Sequence, residues 1–275
     1  DSSVPFRIAA DFSDKNLTGL STMEFELDSQ EASGINNPDF LKQADNFATW
    51  LRSQPEIAHV ASLTDIVKRL NKNMHGDNPE YYRLPESREL AAQYLLLYEM
   101  SLPYGLDLND QINVQKSAIR VIATFHTLTS NQMLDLEQRS NQWLAENTSG
   151  FKATNSSSTL IFSHIGQRNI KSMLIGTVLA LILISALLAV ALRSVKFGLM
   201  SLIPNLAPAG IAFGIWGMTV GEVGLALSVV TGMTLGIVVD DTVHFLSKYL
   251  HARRERSLDC QQAINYAFHS VGKAL

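Results

Sequence analysis

One cysteine, Cys260, stands in 275 residues, so an internal disulfide is excluded. Excess charge is also scarce. Lys and Arg number 22 against 26 Asp and Glu, a net of −4, and no stretch is basic enough to suggest nucleic acid. Metal and triad spacings are missing as well. His59, His75, His126, Asp65 and Asp77 are the candidates for a site in the first half, and each histidine reads as a surface or core residue. No enzyme and no cofactor are expected. The chain opens at Asp1 without Met or a signal peptide and stops at Ala274-Leu275 without a stop signal, which reads as a piece of a longer protein.

What is present divides into two unlike parts. Residues 1–168 hold 14 Lys and Arg against 21 Asp and Glu, a net of −7, whereas residues 169–275 hold 8 against 5, a net of +3. The first part reads as a soluble α+β domain. Ser21–Asp28 alternates apolar Met23, Phe25 and Leu27 with polar residues, the pattern of a half-buried strand. Asn37-Pro38 opens a helix to about Ser53, with the proline in its first turn. Ile57–Leu63 reads as a short strand, and Thr64-Asp65 caps a helix to about Asn73. His75–Pro85 is a polar loop, Pro85-Glu86 begins a helix to Met100, and Leu102–Asp110 is a loop. The β-branched run Lys116–His126 predicts a central strand, and Thr129-Ser130 caps a helix to about Ala145. This alternation suggests a sandwich of split βαβ type. Asn147–Ser158, rich in Ser, Thr and Asn, reads as a linker. Tyr81, Tyr82, Tyr98 and Tyr104 could face a substrate, although aromatics at such spacing are more often core.

The second part reads as membrane-embedded. Three spans are expected at about 170–192, 199–219 and 223–247, with Pro204 and Pro208 marking a kink in the second. Arg193 and Lys196 follow the first span, and Lys248, Arg253, Arg254 and Arg256 follow the third. The positive-inside rule then places residues 1–168 outside, and Cys260 inside, where a free thiol is ordinary. Residues 251–275 hold an amphipathic helix on the inner surface over Ser257–Ser270 and, from Val271, the start of a further span.

The third span concentrates the chemistry. From Val223 to Val239 it carries no charge, and then Asp240 and Asp241 arrive together. A carboxylate inside such a helix costs roughly 2.5–3.5 kcal/mol on insertion scales, so it is rarely kept without a partner or a use. Gly232, Gly236 and Asp240 recur every four residues and share one face, and His244 lies one turn further on. The glycines let another helix approach closely. The stripe reads as a proton or cation site between helices. The competing arrangement puts Asp241 and His244 at the water line, with Lys248 as an ion-pair partner.

These residues carry a resemblance. GMTLGIVVDD at 232–241, followed by Thr242, His244 and Phe245, resembles the acid-bearing helix of the resistance–nodulation–division (RND) superfamily, nearest its MmpL-like exporters and related to Patched and the sterol-sensing-domain proteins. SLIPNLAP at Ser201–Pro208 is similar to the span preceding that helix. The resemblance runs along the whole chain and is specific mainly over 193–256. It implies an extracytoplasmic porter-like domain over 1–168, then part of a transmembrane bundle in the plasma (inner) membrane. It also implies proton-driven export of hydrophobic or lipid-like substrates. By position, Asp240 and Asp241 would relay the proton, with Thr242 and His244 as helpers and Gly232 and Gly236 packing the helix. Partners implied are the substrate, the lipid bilayer and the missing repeat of the same protein; a homo-oligomer stays open. The rival expectation is a sterol- or lipid-sensing membrane protein without proton coupling.

Overall fold

The computed structural model describes residues 4–103, 108–221 and 225–272. It divides into two compact units, Asp1–Ile165 and Gly166–Leu275. Its class is mixed α and β, with a small antiparallel sheet in the first unit and, among the described residues, helices alone in the second.

The first unit opens with a helix, α1 (Pro5–Asn16), where the sequence offered only scattered apolar residues. None of its residues is buried, so no core stripe marks it. The sheet contains β1 (Ser21–Asp28), β2 (Ile57–Ala61), β3 (Ala118–Phe125) and β4 (Lys152–Ser156), in the order β2-β3-β1-β4 with every neighbour antiparallel. Alternation does what the sequence predicts. Met23, Phe25 and Leu27 point inward opposite Ala123, Val121 and Ile119 of β3, and all six are buried. The other face is polar. There Arg120 Nη2 meets Glu24 at 2.6 Å, and that hydrogen bond pushes the guanidinium pKa further up.

Helices α2 (Pro38–Arg52), α3 (Leu63–Met74), α4 (Arg88–Ser101) and α5 (Ser130–Asn147) complete the unit. α2 links β1 to β2, and α5 links β3 to β4. Their inner faces build an aromatic centre. Phe47 meets Phe25 edge-on at 4.9 Å, and Trp50 stacks on Trp143 at 5.7 Å. Caps fix the helix starts: Asn37 accepts from Asp39 N, and Thr129 forms a reciprocal capping box with Gln132.

Three expectations in this unit need correction. α3 is capped by Ser62, whose hydroxyl accepts from Thr64 N, and not by Thr64-Asp65. α4 starts behind Ser87, not at Pro85. The expected linker contains β4, which pairs with β1 from Lys152 to Asp28 onward. KATNS carries no apolar alternation, because an edge strand of five residues buries little. Its pairing is set by the ladder and by Thr154 Oγ1 donating to Glu26 at 2.9 Å.

The second unit is built from α6 (Ser158–Ala191, whose first turns belong to the first unit), α7 (Val195–Met200), α8 (Leu202–Thr219), α9 (Leu225–Arg254) and α10 (Cys260–Val271). Among the described residues, two segments are long and apolar enough to cross a membrane. They are Ser158–Ala191, whose 18-residue apolar stretch has a mean hydropathy of 2.8, and Val195–Thr219, at 1.5 over a stretch of the same length. Most of each stays uncovered: Ile182, Leu183, Leu187 and Val190 are all exposed. So much bare apolar surface indicates association with a membrane. α6 begins at Ser158 rather than Ile170, and the second expected span is interrupted at Ser201 into α7 and α8. Pro208 lies inside α8. α9, the expected third span, carries Asp240, Asp241, Lys248, Arg253 and Arg254 in its second half, and part of its first half lies outside the residues whose side chains are described. The short amphipathic helix is α10, capped by Asp259 and packed on α9 through Ala263 and Ala267. The continuation expected from Val271 lies mostly outside the described residues, as do Tyr104 and the first residues of the 223–247 span.

Candidate functional site on helix α9

α9 presents two chemically different faces. On one, Gly232 and Gly236 open onto space, and a Cβ at either would meet nothing within 4 Å. Asp240 and His244 continue that face. Asp240 Oδ1 lies 3.4 Å from His244 Nε2, with the two side chains 73% and 61% exposed. The i,i+4 pairing expected from the spacing is therefore formed, and it is local to one helical turn.

The adjacent acid goes elsewhere. Successive helical residues are turned by about 100°. Asp241 is half-buried and lines an apolar cavity of about 490 Å³ with Met200, Pro204, Thr242 and Phe245. The two carboxylates thus occupy different faces, although they are adjacent in sequence.

Thr242, the next residue, faces α8. It is buried against α8, and its hydroxyl lies 2.9 Å from Asn205 Oδ1 and 2.9 Å from the Val238 carbonyl. Asn205 is 2% exposed, and its Nδ2 has no hydrogen-bond partner among the described residues. A second apolar cavity, about 360 Å³, lies on the other side of this contact and is lined by Asn205, Val238, Leu181 and Phe213. Asn205 was not singled out from the sequence, although an amide inside the apolar run IPNLAP was a visible signal.

The remaining candidates are dispersed. His59 is exposed on β2, His126 lies 3.8 Å from Asp14, and Asp65 pairs with Arg52 and, at 3.5 Å, with Lys68. His75 stacks on Tyr81 at 3.7 Å and its Nδ1 lies 2.8 Å from the Asn71 carbonyl. Asp77 is a turn residue with φ 61°. Tyr82 lies under Lys68, and Tyr98 packs on the core, so Tyr81, Tyr82 and Tyr98, the described candidates, form no common box. Among the described residues no three His, Cys, Asp or Glu side chains gather to hold a metal.

Compared with known proteins, the chain matches no family model and no curated sequence.

Proposed function

We propose that this chain is part of a proton-driven membrane exporter of hydrophobic or lipid-like substrates. In this reading residues 1–168 form its extracytoplasmic porter-like domain, and α9 is a third span of its multi-pass bundle in the plasma membrane. The observation that carries the proposal is the α9 stripe: two bare glycines, then a carboxylate paired with an imidazole, on a helix beside two segments apolar enough to span. The glycines leave room for a helix of the missing repeat, which would enclose Asp240 and His244. Enclosed, the pair exchanges a proton, and the change of buried charge biases the helix packing. The strand order β2-β3-β1-β4, with α2 and α5 as crossovers, supports the porter-like reading because it matches a split βαβ sheet.

The apolar cavity of about 360 Å³ favours a second reading, a lipid-binding or sensing protein without proton coupling. The full-length protein in proteoliposomes under an imposed pH gradient separates the two. Proton flux that is lost in Asp240→Asn, with the variant still folded, supports the exporter. Equal flux in both proteins, or none in either, leaves the lipid-binding reading.

A further inference from the structure

The contact between Thr242 and Asn205 has a conflict of protons. A threonine hydroxyl has one hydrogen to donate. Here it lies 2.9 Å from two acceptors, Asn205 Oδ1 and the Val238 carbonyl, while Asn205 Nδ2, a buried donor, has no partner among the described residues. A buried amide left unsatisfied costs stability and calls for a reason. Turning the amide over resolves half of it. Nδ2 then donates to the Thr242 oxygen, and the hydroxyl proton goes to the Val238 carbonyl. Either orientation of the amide keeps α8 joined to α9 at Thr242.

We propose that Asn205 is a positioning residue for the carboxylates of α9: its amide, clasped to Thr242, sets the rotation of α9 and so sends Asp241 toward α8 and Asp240 toward the glycine face. Asn205 touches neither carboxylate; it acts through Thr242, the residue directly after Asp241. The clasp lies between the two cavities, and Val238 lines both, so releasing it frees α9 to turn into either. α8 itself carries no titratable side chain. The charged groups nearest the contact along the neighbouring helices are Asp240, Asp241 and His244 of α9 and Lys196 of α7. The inference rests on the proton-coupled reading for its functional consequence and on geometry alone for the rotation.

The test uses the full-length protein with Cys260→Ser, carrying either Ile237→Cys or Val238→Cys, with and without Asn205→Leu. Ile237 is exposed and Val238 half-buried, so a turn of α9 changes the ratio of their accessibilities. Labelling by a membrane-permeant maleimide reads the rotation without any transport. Asn205→Leu is expected to change the ratio of labelling rates, 238 over 237, by about fivefold, the scale on which one net hydrogen bond biases an equilibrium. An unchanged ratio overturns the proposal. Proton flux against pH, measured with the native cysteine, is expected to fall in Asn205→Leu and shift its midpoint, with Asn205→Gln recovering part of both. A changed ratio with wild-type flux and midpoint overturns the link to the carboxylates. A changed ratio in a protein that shows no flux even as wild type removes the exporter reading and leaves Asn205 as the residue that orients α9.

Discussion

Two glycines on neighbouring helices of the same unit should respond oppositely to the same added carbon. Gly198 of α7 sits against α6: a Cβ there would lie 2.6 Å from Ala189 Cβ and 2.9 Å from the Ser185 carbonyl. One of those atoms is backbone, so Gly198→Ala must push the helices apart, and overpacking of this kind costs about 1–3 kcal/mol. Gly236 of α9 meets nothing within 4 Å, so Gly236→Leu has no clash within the unit. Replacing a helix-interior glycine there gains about 0.5–1 kcal/mol from the backbone entropy removed. If the bare face is where another helix docks, the same leucine keeps that helix away from Asp240, and function is lost without loss of local stability. The assay pairs thermal unfolding of the detergent-purified full-length protein with proton flux in proteoliposomes. Gly198→Ala should melt earlier. Gly236→Leu should abolish flux, whatever small change it makes to the fold of its own unit. Wild-type flux in Gly236→Leu would refute the reasoning, since no close-packed partner could then occupy the glycine face.

Two further outcomes concern the first unit. Phe47 is fully buried between Phe25, Trp50 and Trp143, so Phe47→Ala should lose about 3–5 kcal/mol, read by urea unfolding followed through tryptophan fluorescence. Thr129→Ala removes one half of the capping box of α5 and should cost about 1 kcal/mol in the same assay, whereas a change under about 0.3 kcal/mol would show that Gln132 alone holds the helix start.

The sequence by itself determined the elements whose pattern is set by local physics. The alternation in Ser21–Asp28 gave β1 at its observed bounds, because one pleated face had to be buried. Asn37-Pro38 and Thr129 marked helix starts, because capping depends on residues within one turn. The four-residue spacing of Gly232, Gly236, Asp240 and His244 placed them on one face, and the Asp240–His244 contact follows from helix geometry alone. What depends on distant residues was not legible. β4 has no apolar signature, and only its ladder with β1 makes it a strand. α1 buries nothing, so no periodicity announced it. The sequence put Asp240 and Asp241 side by side as one pair. Helix geometry turns them about 100° apart, and tertiary structure decided what each meets: Asp241 lines the cavity against α8, where Thr242 meets Asn205 from a helix 37 residues earlier, and Asp240 stays on the bare glycine face.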